Sequence, residues 1–230
     1  MTLSHLMNKK PLTMQFQKGY LYHIYNQGNN RQKIFFHPKN YLFFLNKTRT
    51  YLLPYADVLA WCLMPNHFHF MVLVKEIAAD RMSSDRMTMS HPITNNKTSF
   101  NNSIAIMLRS YTRAINNQEK RSGSLFKAHT KAICLNCPKG ITPSWFSDNG
   151  ITRMNISNVE RAYPQICFNY IHQNPVKSGI VKKAQDWEFS SIKDYLGIRN
   201  GKLINKRTAL EYVNFNAYSY DEYHYCLSHY

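Results

Sequence analysis

The chain has 230 residues, enough for one principal domain with its own hydrophobic core. Its 29 lysines and arginines against 13 acidic residues give a net charge of +16, which favours a polyanionic partner such as nucleic acid. No apolar run is long enough to span a bilayer, residues 1–17 lack a secretory signal, and the basic residues are not gathered on one amphipathic helix. We therefore predict a cytoplasmic protein without a membrane partner.

The cysteines predict reduced thiols rather than a disulfide framework. There are five of them, an odd number in a chain without an export signal: Cys62, Cys134, Cys137, Cys167 and Cys226. Cys134 and Cys137 form a C-x-x-C pair, but structural zinc usually needs four ligands and no second pair lies nearby. A zinc site is therefore not the favoured interpretation.

The first third of the chain predicts a strand, a helix and a hairpin. Residues 20–25 are rich in aromatic and β-favouring side chains, and a helix with one apolar face follows Pro38. Residues 56–64 and 67–74 are two apolar runs separated by Pro65-Asn66, a spacing typical of a tight hairpin. Because both faces of these runs are apolar, we expect central strands.

The middle of the chain alternates between irregular and periodic segments. Residues 79–102 lack a steady period and predict a surface loop, whereas apolar residues at helical spacing predict a helix over 102–117. Residues 125–135 predict a strand that places Lys127, His129 and Lys131 on one face.

The last elements are a loop and a helix. Residues 136–155 predict a second irregular loop. Ser157-Asn-Val-Glu160 fits a capping box for a helix that Pro164 is expected to kink and Pro175 to end after Asn174. Strands and helices in this order predict an α+β fold, with helices packed on an antiparallel sheet.

The tripeptide His67-Phe68-His69 lies at the start of a predicted strand. Side chains alternate along a strand, so both imidazoles face the same side, where they can supply two adjacent metal ligands. An H-x-H motif is short, however, and two sheet histidines satisfied by local hydrogen bonds remain an alternative.

Tyr170 and Asn174 lie four residues apart on a predicted helix and therefore share one face. Burying their polar groups without partners costs about 1 to 3 kcal/mol each, so other groups must satisfy them. The alternative is a core aromatic residue and a helix-terminating asparagine. Tyr111 is the rival to Tyr170 as a chemically active tyrosine. No amide follows it four residues later, however, and a role in the helix core is favoured.

Taken together, four blocks resemble, in order, the REP-associated tyrosine transposases, which belong with the single-tyrosine HUH transposases of insertion sequences. The blocks cover residues 22–31 with Ile34-Phe35, residues 64–69, residues 121–126, and residues 170–180 with Trp187 and Ser190-Ser191.

The resemblance implies a ferredoxin-like or RRM-like core that cleaves and rejoins single-stranded or hairpin DNA through a 5′-phosphotyrosine link. His67, His69 and Asn174 would bind Mg²⁺ or Mn²⁺, and Tyr170 would be the nucleophile. The transposase domain would cover residues 18–197, between an extension at 1–17 and an unassigned tail at 198–230.

Positive side chains are the expected DNA contacts, because phosphates attract lysine and arginine. The candidates are Arg31, Lys33, Arg109, Arg113, Arg121, Lys127, Lys131 and Lys177. Two other functions stay open, a non-catalytic nucleic-acid-binding protein derived from a transposase and a metal-dependent hydrolase that does not need the tyrosine. A homodimer also stays open.

Overall fold

The structure is a computed structural model that describes residues 16–80, 97–137, 145–148, 151–154 and 159–217. In the part of the chain that it describes, no helix is both long and apolar enough to cross a membrane. The capping box at 157–160 lies mostly outside the described residues, as do most of the N-terminal extension and the end of the tail.

The elements follow one another in a βαββαβ core with additions. They are β1 (Leu21–Gln27), α1 (Pro38–Tyr51), β2 (Ala56–Met64), β3 (His67–Val74), β4 (Ala78–Asp80), β5 (Lys97–Ser99), α2 (Phe100–Gln118), β6 (Lys131–Cys134), β7 (Trp145–Asp148), β8 (Ile151–Met154), α3 (Val159–Lys177), α4 (Ile192–Tyr195) and α5 (Lys206–Leu210).

The main sheet has the strand order β2-β3-β1-β6, and every neighbouring pair is antiparallel. This order, with α1 and α2 as the connecting helices, is the ferredoxin-like arrangement. The α+β class and the antiparallel sheet are therefore confirmed.

Two apolar layers cover the sheet, one on each face. Tyr22 and Ile24 point to the α1 and α2 side, where they join a cluster of aromatic residues. Leu21, on the other parity of β1, joins a second cluster with Phe168 and Ile171 of α3. Because neighbouring strand residues point to opposite faces, the same strands serve both layers.

Local sequence signals predicted several elements well. The hairpin of β2 and β3 turns at Pro65-Asn66, and α1 begins with Pro38, where a missing N–H is harmless. The prediction that β2 is a central strand was wrong, since it lies at the edge of the sheet. Its outer side is instead covered through isolated bridges to Ser190 and Ile204.

Two elements have boundaries that differ from prediction. Helix α3 continues through Pro164 and Pro175 to Lys177, so the expected end before Pro175 was wrong. The strand predicted at 125–135 is shorter in the structure and covers only β6. The earlier part of the segment makes an isolated bridge instead, between Phe126 and Gly28. Lys127 and His129 therefore lie outside the strand.

The two predicted loops contain short strands at their described parts. β4 pairs with β5, and β7 pairs with β8, each as a two-stranded antiparallel ribbon. The prediction of an irregular segment was wrong at these positions, where backbone pairing satisfies N–H and C=O groups that a loop leaves to water.

The prediction of reduced thiols holds for Cys62 and Cys167, which are free and buried, but not for the C-x-x-C pair. Cys134 and Cys137 form a disulfide, with their Cα atoms 5.9 Å apart. The turn after β6 brings the two Cα atoms into the range that a disulfide spans, which the odd cysteine count did not reveal.

Candidate active site

Strand β3 and helix α3 carry the four residues that the sequence analysis proposed as metal ligands and nucleophile. His67 and His69 lie on β3 and face α3, and Tyr170 and Asn174 lie one helical turn apart on that helix. The structure therefore brings together all four residues that the sequence singled out for chemistry, and they belong to the same chain.

Asn174 is the central contact of this group. Its Oδ1 lies 3.1 Å from Nε2 of His67, and its Nδ2 lies 3.3 Å from Nε2 of His69. The His69 ring lies 5.3 Å from the Tyr170 ring, measured between centroids, in an edge-to-face arrangement. Two imidazole nitrogens thus converge on one amide beside a phenol.

Oxygen atoms face both ring nitrogens of His67. The Asn66 Oδ1 lies 2.6 Å from Nδ1, and the Asn174 Oδ1 lies 3.1 Å from Nε2. The Asn66 amide is oriented by its Nδ2, which donates to the carbonyl of Arg31 (3.3 Å). A neutral imidazole has only one N–H, so it can donate to only one of these two oxygens. At the other nitrogen of His67, the ring lone pair faces an oxygen and no hydrogen bond forms.

Protonating both ring nitrogens of His67 would satisfy both oxygens, but burial disfavours this charged form. It lowers the pKa of His67, although the hydrogen bond with Asn174 raises it again in part. Burial also holds the pKa of His69 well below its usual range, and the neighbouring His23 and His67 act in the same direction. Neutral imidazoles with available lone pairs are the ligand form that metals require.

Two imidazole nitrogens and an amide oxygen therefore fit a divalent cation such as Mn²⁺ or Mg²⁺, with water and a phosphate oxygen as further ligands. Among the described residues, no group of three His, Cys, Asp or Glu side chains is arranged to hold a metal. Any site here depends on the amide of Asn174 as the third protein donor.

Tyr170 is accessible as well as close to the histidines. The residue is 40% exposed, whereas Asn174 is buried. Burial of the rest of the side chain raises the pKa of Tyr170, and a hydrogen bond with Asn174 lowers it in part. The phenol is consequently protonated at neutral pH but reachable by a large substrate.

Tyr111, the rival aromatic, lies elsewhere. It is fully buried in the layer of α1 and α2, and its hydroxyl donates to the carbonyl of Ile34 (2.8 Å). Its expected role as a core residue of α2 agrees with this position.

Sequence reasoning missed His23. It lies on β1, faces α3 and places its Nε2 2.9 Å from Nδ1 of His69. Pairing of Tyr25 with His69 and of His23 with Met71 puts the two histidines on a diagonal of one sheet face. The available signal was that His23 and Tyr25 alternate onto the same face of β1. Only the register between β1 and β3, which the sequence does not show, makes His23 a neighbour of His69.

The eight predicted DNA contacts separate into groups. Lys131 lies on the same face of the sheet as His69, since β6 pairs it with Tyr25, which in turn pairs with His69. Arg31 and Lys33 are exposed after β1, and Lys177 is exposed at the end of α3. The remaining four, Arg109, Arg113, Arg121 and Lys127, line one cleft.

That cleft has a volume of about 690 Å³ and lies between α2 and the segment leading to β6. Asn26 lines it from the sheet face opposite to His23, so the cleft and the histidines lie on different faces. No carboxylate is among its described lining residues. A cleft with four cations and no acid attracts phosphate groups.

Comparison with known proteins gives one structural similarity. Neither a family model nor a curated protein matches the chain. A solved structure described as "Structure of the REP associates tyrosine transposase bound to a REP hairpin" is similar with a TM-score of 0.48 and 15% identity, covering 90% of this chain and 93% of that chain.

Proposed function

We propose that this protein is a DNA strand transferase that cleaves and rejoins single-stranded DNA through a covalent link to Tyr170. The observation that supports it most is the convergence of two imidazole Nε2 atoms and one amide beside an exposed tyrosine. The ligands of a divalent cation would be His67, His69 and Asn174, and the cation would polarise a phosphate oxygen of the DNA.

In the proposed reaction, the Tyr170 oxygen forms a bond to phosphorus while the bond to the 3′-oxygen breaks. The phenol loses its proton to solvent, and the departing 3′-oxygen takes one up, so the net charge is unchanged. The product is a 5′-phosphotyrosine ester and a free 3′-hydroxyl. Because this ester retains the bond energy, another 3′-hydroxyl can reverse the step and join two strands.

Asn174 has two roles in this proposal. Its amide contacts both histidines, and although burial raises the pKa of Tyr170, the hydrogen bond with Asn174 offsets part of that rise. Positioning a nucleophile beside the reacting phosphate is itself a large part of phosphoryl-transfer catalysis.

The substrate class follows from charge and from the sequence blocks. The net charge of +16 and the four-cation cleft favour a polyanion. The resemblance of the sequence blocks to REP-associated tyrosine transposases favours hairpin-forming DNA repeats with an unpaired flank. All four chemical residues lie in one chain, so the reaction as proposed needs no second subunit.

The test is to incubate the protein with Mn²⁺ and a labelled hairpin oligonucleotide that carries a single-stranded flank, and then to separate the products on a denaturing gel. We expect a labelled protein–DNA adduct that disappears in Tyr170→Phe. Cleaved DNA without an adduct would contradict the proposal in favour of a hydrolase. DNA binding without either product would contradict it in favour of a non-catalytic binding protein.

A further inference from the structure

His23 lies directly behind His69, on the side away from Asn174. Its Nε2 is 2.9 Å from Nδ1 of His69, whereas Nε2 of His69 faces Asn174. Both residues are buried, with 9% of His23 and 4% of His69 exposed. Each ring nitrogen of His69 thus has one defined partner within the protein.

The contact between the two rings allows only one proton between them. Either Nδ1 of His69 donates to His23, or Nε2 of His23 donates to His69. In the first case, the neutral His69 ring has its lone pair on Nε2; in the second, its own proton lies on Nε2 and blocks that position. The choice of donor across this contact therefore decides whether His69 can act as a ligand.

The amide of Asn174 favours the first arrangement. Its Nδ2 points to Nε2 of His69 at 3.3 Å, and an N–H donor needs a lone pair as its acceptor. In this arrangement Nε2 of His23 is the acceptor, 2.9 Å from Nδ1 of His69.

We propose that His23 is a positioning residue that fixes His69 in the Nδ1–H form, so that Nε2 of His69 keeps the lone pair that accepts from Asn174 in this structure and would bind the proposed cation. The inference rests on the proposed function, because this lone pair matters only where a cation binds. Buried ligand histidines commonly donate their second N–H to a carboxylate or carbonyl. A neutral imidazole in that place adds no negative charge, so the cation keeps its full charge for a phosphate.

Two substitutions separate a hydrogen-bond role from a packing role. His23→Leu removes the acceptor, whereas His23→Gln places an amide oxygen near the former Nε2. Each protein, labelled with ¹⁵N-histidine and kept metal-free at one fixed pH, is examined by long-range ¹H–¹⁵N correlation of the His69 ring. Binding of Mn²⁺ alone is measured by electron paramagnetic resonance, without DNA.

We expect the wild-type protein to show His69 with its proton on Nδ1. His23→Leu should give a mixture of both ring forms and bind Mn²⁺ about 10 to 100 times more weakly, and His23→Gln should recover most of that loss. A His69 proton on Nε2 in the wild type would overturn the inference, and this spectrum decides it even where His23→Leu does not fold. Unchanged spectra and Mn²⁺ affinity in a folded His23→Leu protein would overturn it as well.

Failure of the proposed function gives a different pattern. A wild-type protein that has the Nδ1–H form of His69 but binds no Mn²⁺ would refute the metal site while leaving the hydrogen-bond assignment intact. Tight Mn²⁺ binding with the proton on Nε2 in the metal-free protein would refute the role of His23 alone.

Discussion

The two faces of the central sheet are built from the same strands but bury different chemistry. The face toward α1 and α2 carries an aromatic core, in which Phe44 contacts the rings of Phe68, Phe70 and Tyr111. The face toward α3 also has an apolar cluster, which includes Leu21 and Phe168, but it buries His23, His69 and Asn174 as well. Both faces therefore support the fold, and only the α3 face also holds buried imidazoles and an amide in a defined arrangement.

The largest expected effect concerns the two tyrosines on opposite faces. If chemistry is confined to the α3 face, Tyr170→Phe should lower formation of the covalent DNA adduct by more than about a thousandfold, because the nucleophile is removed. The measurement is the adduct band after incubation with Mn²⁺ and hairpin DNA.

Tyr111→Phe is the matched control, since it removes the same hydroxyl from the other face. It should cost about 1 kcal/mol of stability through the lost bond to Ile34 and leave the adduct yield unchanged. An adduct that survives in Tyr170→Phe but is lost in Tyr111→Phe would reverse the assignment of the two faces.

Local sequence patterns predicted which residues share a face of a strand or helix. They did not predict contacts between residues that are distant in the sequence. Alternation placed His67 and His69 on one side, and helical spacing paired Tyr170 with Asn174. Neither signal reveals that His23 lies behind His69, because that contact depends on the register between β1 and β3. A single-residue shift of the register would point the same histidine away.

The errors in the elements have the same origin. Pro175 was expected to end α3, yet the helix continues to Lys177 with Pro175 buried, so tertiary packing outweighs the loss of one backbone hydrogen bond. The alternating segment before β6 was expected to join the sheet. It lies beside the end of β1 instead, where Phe126 is bridged to Gly28 and the Lys127 N–H donates to the carbonyl of Gln27 (2.8 Å).

The next effect separates stability from metal binding. Phe44→Ala should lower the free energy of unfolding by about 3 to 5 kcal/mol, because a fully buried ring leaves a cavity, with Mn²⁺ affinity of the folded protein unchanged. His67→Ala, at a half-buried position, should cost only about 1 kcal/mol but remove Mn²⁺ binding.

Urea denaturation and Mn²⁺ titration measure these two quantities in each protein. Phe44→Leu, which retains most of the volume, is the milder variant for conditions in which Phe44→Ala is largely unfolded. Comparable loss of stability in Phe44→Ala and His67→Ala would mean that the two faces contribute alike, contrary to the comparison.

A smaller effect is a pH dependence that only the α3 face produces. Burial lowers the pKa of His23 from about 6.5 to about 3, so the unfolded chain binds a proton that the folded protein does not bind between these values. Stability should be complete above pH 6.5 and decrease as the pH falls, by about 2 kcal/mol between pH 7 and pH 5 for this group.

Urea midpoints at pH 7 and pH 5 in the presence of a chelator test this. His23→Leu should flatten the dependence by that amount, and an equal pH dependence in the variant and the wild type would show that His23 takes up no proton on unfolding in this range.

The smallest effect concerns DNA affinity on the face opposite to the histidines. Arg113 lines the four-cation cleft, so Arg113→Ala should weaken DNA binding by a few-fold and reduce the slope of log affinity against log salt by about 0.7 to 1, the loss of one phosphate contact. Arg49 is the matched control, an exposed arginine on α1 that does not line the cleft. Fluorescence anisotropy in the Tyr170→Phe background, with chelator present, measures binding without cleavage. If Arg49→Ala weakens binding as much as Arg113→Ala does, the attraction comes from overall charge, and the cleft is not a DNA contact of its own.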